Sequence, residues 1–184
     1  GEFLKQLKEA GLGTLPGTAA EILDDEVRAT LCPDKINTNQ WLEVMEAAHG
    51  EGFNTTATIM YGHMESYYHV ARHLLRVRGL QERTQGFTEF VILPFIHMES
   101  PLYLKGNARR GPTFREAVLI HAVSRLALNP VFKNIQASWT KLGHEGVKAC
   151  LQAGVNDLGG TLMNETITRA AGASHGQETS PEVM

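Results

Sequence analysis

Short runs rich in threonine, isoleucine and aromatic residues alternate along this chain with longer stretches whose apolar residues recur every three or four positions. That alternation constrains the fold more than any other feature. Phe53 to Tyr61 and Thr88 to Pro94 read as strands, Asn134 to Trp139 as a third, and Val155 to Leu158 as a last buried one ending in Gly159 and Gly160. Leu12 to Thr18, short and bounded by glycine, suits a buried strand end and a tight turn. Phe3, Leu4, Leu7 and Ala10 open the chain on a helix that stops at Gly11. Asn37 with Gln40 makes a capping box ahead of the stripe Trp41, Val44, Met45 and Ala48. Ser66 to Val77 is helical with Tyr67, Ala71, Leu74 and Leu75 inward, and Thr113 with Glu116 starts another helix that runs to Leu128. Gly143 to Gln152 is a shorter one.

Strand followed by helix in one direction requires parallel strands joined by crossovers, with ligands at the strands' C-terminal ends. The expected fold class is therefore α/β, a partial (β/α) TIM-type barrel. A complete eight-unit barrel takes about 250 residues, whereas this chain has 184 and opens on a helix with no strand before it. Residues 1–170 are accordingly expected to be the C-terminal part of a larger barrel domain, its missing portion upstream, and 171–184 a loosely structured tail.

Composition closes off several classes. The uncharged run Ala57 to Met64 is far short of the roughly 20 apolar residues that cross a bilayer, and the charged amphipathic start has no signal-peptide core. Seventeen basic residues against twenty acidic ones, with no segregated basic face, argue against nucleic acid or an anionic membrane as partner. Cys32 and Cys150 are too distant in sequence for a C-x-x-C pair, so a reducing, cytoplasmic setting is expected. His69 and His73 sit four apart, yet lack the further ligands of a zinc site, and no metal site is expected.

Several runs resemble the radical S-adenosylmethionine enzymes that build the deazaflavin chromophore, and their menaquinone-pathway cousins. They are Gly11 to Leu23, Cys32-Pro33-Asp34-Lys35-Ile36, Thr56 to His63, Gly86-Phe87-Thr88-Glu89-Phe90 and Asn156 to Thr161. The stretches His97 to Thr113 and Leu162-Met163-Asn164-Glu165 are most similar to the tyrosine-using component, or C-terminal half, of deazaflavin synthases. The resemblance extends from about Phe3 to Gly176 and implies the C-terminal portion of a radical S-adenosylmethionine barrel. It also implies transfer of a 4-hydroxybenzyl group from L-tyrosine to 5-amino-6-(D-ribitylamino)uracil, in coenzyme F420 synthesis. The cofactors implied are S-adenosylmethionine and a 4Fe-4S cluster held by C-x-x-x-C-x-x-C, a pattern this chain lacks. The chain alone is thus expected to be inactive, with a companion radical half, fused or separate, as partner. Two alternatives stand open: an aminofutalosine-synthase-like enzyme, against which Leu104 to Thr113 argues, and a non-catalytic scaffold domain.

Candidate residues follow from positions past the apolar strands. Ile59, Gly62 and Glu65 resemble the adenine-contacting pattern of the family, and Glu21 is placed to accept hydrogen bonds from ribose or ammonium groups. His63 and His97 are the candidates for catalytic proton exchange or donation to a uracil carbonyl. Arg28, Glu99, Lys105, Arg110, Trp139, Lys141, Asn156 and Asp157 are the candidate substrate contacts. For each, a purely structural role as cap, ion pair or satisfied buried group is the competing explanation.

Overall fold

The computed structural model describes residues 1–184. In chain order the elements are α1 (Glu2–Glu9), β1 (Thr14–Leu15), α2 (Asp25–Leu31), α3 (Thr38–Gly50), β2 (Asn54–Tyr61) and α4 (Tyr67–Thr84). There follow β3 (Phe87–Pro94), α5 (Pro101–Leu104), α6 (Phe114–Leu128), β4 (Asn134–Ala137), α7 (Trp139–Gln152) and α8 (Ile167–Ala170). The strands form one four-stranded sheet in the order β1-β2-β3-β4. All its pairings are parallel. The α/β class and the parallel sheet agree with the sequence reading.

Both capping boxes form. Asn37 and Gln40 exchange hydrogen bonds at the start of α3, and Thr113 and Glu116 do so at α6, each satisfying amide donors that a helix start leaves free.

One face of the sheet is covered by helices and the other is open. Along β2 the side chains of Thr55, Ala57, Ile59 and Tyr61 are buried, while Thr56, Thr58 and Met60 between them are half-exposed. Register extends both faces across the sheet. Ala57, Phe90 and Ile135 lie side by side on the covered face, as do Ile59, Ile92 and Ala137. These residues join Trp41, Leu74, Leu80, Leu128 and Phe132 in the hydrophobic core. Parallel sheets are ordinarily covered on both faces, so the open face stands out.

Some expectations are corrected. α4 runs on to Thr84; Leu74 is buried as expected, but Tyr67, Ala71 and Leu75 point outward and Val70, His73 and Val77 complete the buried stripe. Val44 of α3 is likewise exposed. β4 ends at Ala137, and Trp139 begins α7, which kinks at Gly143, whose φ of 65° is left-handed. Leu12 is exposed and β1 is only two residues long, because it is an edge strand with no neighbour on its outer side. Val155 to Leu158 contributes one isolated bridge, Asp157 to Gln136, beside β4.

Residues past the strand ends collect along one edge. Gly62 and His63 follow β2, His97 follows β3, and Lys141 follows β4. Glu21 joins them because its carbonyl accepts the Met60 N–H at 2.7 Å, continuing the parallel pairing beyond β1. The chain after Gly159 returns to this edge: Gly160 O accepts the Trp139 indole at 2.9 Å, and Ala171 O accepts the Glu99 N–H at 3.1 Å.

Candidate functional site

The turn after β2 is braced by its own side chains. Glu65, its side chain nearly buried, accepts the Gly62 N–H at 2.6 Å and the His63 N–H at 2.9 Å. His63 is fully buried; its Nδ1 accepts the Met64 N–H at 2.8 Å, so Nε2 carries the proton toward Met60 O at 3.0 Å. Burial also holds its pKa below the usual histidine value. With both nitrogens occupied, His63 is a neutral ring bracing the turn, and its approach to Glu65 at 3.2 Å is not an ion pair. Gly62, at φ 90°, is required: a Cβ there would meet Pro112 Cδ at 2.3 Å. Arg109 closes the network, 3.0 Å from Glu116 and 3.8 Å from Glu65.

Arg28 is a clamp of another kind. Its guanidinium, in a residue 3% exposed, donates to the carbonyls of Ala19, Ala20, Ile22 and Ile36, including one bond of 2.6 Å to Ala20. Ala19 and Glu21, both non-glycine, adopt left-handed φ of 62° and 43° in the clamped segment, strain that persists where surrounding bonds over-determine it. The result sets the Glu21 carboxylate at the sheet edge, 2.6 Å from Lys35 Nζ.

His97, Arg110 and Lys141 come together. They line a cleft of about 230 Å³ with Pro94, Phe95 and Leu142 at the ends of β3 and β4. The His97 ring packs edge-on against Tyr103 at 4.8 Å between centroids, and Tyr103 Oη accepts from Arg110 Nε at 3.2 Å. Burial lowers the pKa of Lys141, with the Glu165 and Glu21 charges opposing. The cleft therefore offers one ring nitrogen pair, a guanidinium and a desolvated amine in one place.

The other sequence candidates are placed as follows. Ile59 faces the helices and is fully buried. Glu99 and Lys105 are exposed. Trp139, 4% exposed, is anchored to Gly160 O. Asn156 Oδ1 accepts the Ile135 N–H at 2.9 Å and Arg125 Nη2 at 2.6 Å, tying the last strand-like segment to β4 and α6. Asp157 Oδ1 caps the Gly159 N–H at 2.7 Å, and its other oxygen remains free.

Two groups escaped the sequence reading. Register sets Glu89 of β3 on the open face opposite Asn134, and Gln136 of β4 beside Asp157. Burial, and then the Asp157 charge, push the Glu89 carboxyl up. The available signal was strand alternation: a charged residue inside Thr88 to Pro94 has to face away from the core.

Asp24, Glu26 and His69 bring ligand atoms within 4.8 Å of one another. The buried Asp24 carboxylate, however, is neutralised by Arg72 at 3.1 Å and Arg76 at 3.4 Å, so the group is an ion-pair cap. No helix is long and apolar enough to cross a membrane.

Comparison with known proteins adds relatives to this geometry. The chain is 52% identical to the 5-amino-6-(D-ribitylamino)uracil--L-tyrosine 4-hydroxyphenyl transferase of Methanocaldococcus jannaschii, over 98% of its own length and 50% of that protein. The corresponding transferase of Methanothermobacter thermautotrophicus is also 52% identical, over 98% of this chain and 49% of its own. An FO synthase of Nocardia farcinica is 54% identical over 95% of this chain, which amounts to 20% of that protein. The chain thus spans half or less of the curated relatives it matches. Residues 84–181 match the family described as CofH/MqnC C-terminal region, and the chain belongs to that family.

Proposed function

We propose that this chain is one wall of a radical S-adenosylmethionine transferase that moves the 4-hydroxybenzyl group of L-tyrosine onto 5-amino-6-(D-ribitylamino)uracil. In this reading the four-stranded sheet is an arc of a (β/α) barrel, its open face is part of the interior, and its C-terminal edge meets the substrates. The observation that carries the reading is convergence: His97, Arg110 and Lys141 meet in one cleft at the strand ends, in a chain about half identical to transferases of that activity.

The roles follow from the chemistry of each group. Arg110 and Lys141 offer cationic donors to the amino-acid carboxylate. His97 is the group in the cleft able to exchange a phenolic proton. Glu21, fixed by the Arg28 clamp, faces the same edge as a carboxylate acceptor, suited to an ammonium or to ribose hydroxyls.

A 4Fe-4S cluster does not fit the residues of this chain. Its ligands would be clustered, deprotonated thiols, whereas Cys32 and Cys150 are both buried singly, and burial pushes the Cys150 thiol up to about 11. The cluster is therefore assigned to a companion half, fused or separate. Of the residues proposed to touch S-adenosylmethionine, Ile59 and Glu65 are occupied within the fold, which leaves the Glu21 oxygen that Lys35 does not hold.

The test is anaerobic assembly of the chain with a cluster-bearing N-terminal half, supplied with ring-labelled L-tyrosine and the ribitylaminouracil. Ring label in a coupled product only when both halves are present supports the proposal. Coupled product from this chain alone, or none from the assembly, contradicts it. The second outcome would favour the scaffold alternative.

A further inference from the structure

Side chains on the open face of the sheet change character with depth. Nearest the C-terminal edge Met60 and Leu93 pair as an apolar layer. One layer down are Thr58, Val91 and Gln136, with Asp157 beside Gln136; below them are Thr56, Glu89 and Asn134. Same-face neighbours on a strand are two residues apart, so successive layers are separated by roughly 6.6 Å.

Part of this polar array is already committed. Thr56 Oγ1 accepts the Gly17 N–H at 2.9 Å, Thr58 Oγ1 donates to Gly17 O at 3.1 Å, and the Asn134 amide donates to Thr88 O at 3.0 Å. These bonds stitch strand to strand. Three groups are left without such work: the Glu89 carboxyl, the Gln136 carboxamide, and the second oxygen of Asp157. They belong to adjacent strand segments on one face. Gly159, at φ 80°, lets the chain turn closely over Gln136, since a Cβ there would come within 1.9 Å of the carboxamide nitrogen.

We propose that Glu89, Gln136 and Asp157 form a polyol subsite, which holds the ribityl chain of the ribitylaminouracil while the rings lie above it against Met60 and Leu93. The inference rests on the transferase reading above. Its chemistry is that of sugar recognition. Each hydroxyl is both donor and acceptor, carboxyl oxygens accept from hydroxyls, and a carboxamide supplies one donor group and one acceptor together. A cation would leave the carboxamide N–H donors unused, whereas a polyol uses the donors and acceptors of all three groups. The apolar layer above matches a flat ring, and the interval between layers suits a short hydroxylated chain running down the sheet. Burial raises the Glu89 carboxyl first and the Asp157 charge adds to it, so the two carboxyls lie near enough to act on each other.

The experiment uses the assembled holoenzyme and two acceptors: the ribitylaminouracil and an analogue with a pentyl chain in place of ribityl. Glu89→Gln and Gln136→Leu are expected to raise KM for the ribityl acceptor by roughly tenfold each. KM for L-tyrosine should stay at the wild-type value, and the pentyl analogue should be used no worse than before. The variants should therefore lose most of the wild-type preference for the hydroxylated chain. A purely structural role would depress both acceptors together, and that result overturns the inference. So does an unchanged ribityl KM in an active holoenzyme, which leaves the transferase reading standing. A wild-type assembly that makes no coupled product overturns both.

Discussion

The turn after β2 and the cleft after β3 and β4 occupy the same edge of the sheet and hold similar residues, yet they differ in how far their polar groups are satisfied. Around Glu65 the two turn amides, a neutral buried histidine and an arginine shared with Glu116 are matched, and the Tyr61 hydroxyl beside them is the one buried group left without a partner. In the cleft Lys141 is desolvated without a close carboxylate, and on the open face Glu89 is held by no donor. Buried polar groups cost free energy unless paired. The matched groups around Glu65 therefore brace the turn, whereas Lys141 and Glu89 keep hydrogen-bonding capacity for something that arrives.

The contrast can be broken at four points. Arg28→Met removes four carbonyl contacts and the restraint on two left-handed residues. It should lower unfolding free energy by about 3–5 kcal/mol in denaturant titration. Glu65→Ala leaves the Gly62 and His63 amides without an acceptor. A loss of about 2 kcal/mol is expected by the same measurement, and wild-type stability would show that the turn does not depend on these two bonds.

Acid should attack the buried histidines next. His73 is fully buried, accepts the Leu23 N–H on Nδ1 at 3.0 Å, and has its pKa lowered from 6.5 to about 3. Between those values the unfolded chain binds a proton that the folded one refuses. Stability is thus complete above pH 6.5 and falls as pH drops toward 3, by about 1.4 kcal/mol per pH unit for this one proton. Melting temperatures recorded from pH 7.5 to 4 check the slope, and His73→Gln should flatten it. The smallest effect belongs to Lys105→Ala. Lys105 is exposed in the loop before α6, and its removal should change stability by less than about 0.5 kcal/mol.

Much of the fold was legible in the sequence because it rests on local signals. Capping pairs at Asn37 and Thr113 and β-rich runs at Phe53 and Thr88 mark their elements without tertiary context. The buried stripe of α4 was misread because Tyr67 and Leu75 are large and apolar yet lie outside, while His73 and Gln81 lie inside with partners on other elements. The site was legible only by position. That Arg28 holds main-chain carbonyls follows from a loop conformation no local pattern encodes. That Glu89 and Gln136 meet Asp157 is a matter of register, which belongs to the whole sheet.

Lys141→Gln in the assembled holoenzyme, followed by melting temperature and labelled-product turnover on the same preparation, tests most directly whether unsaturated groups are the working ones. A melting temperature at or above wild type is expected, because a desolvated cation is removed, with turnover reduced by roughly tenfold or more. A variant that melts early and turns over at the wild-type rate would contradict that expectation.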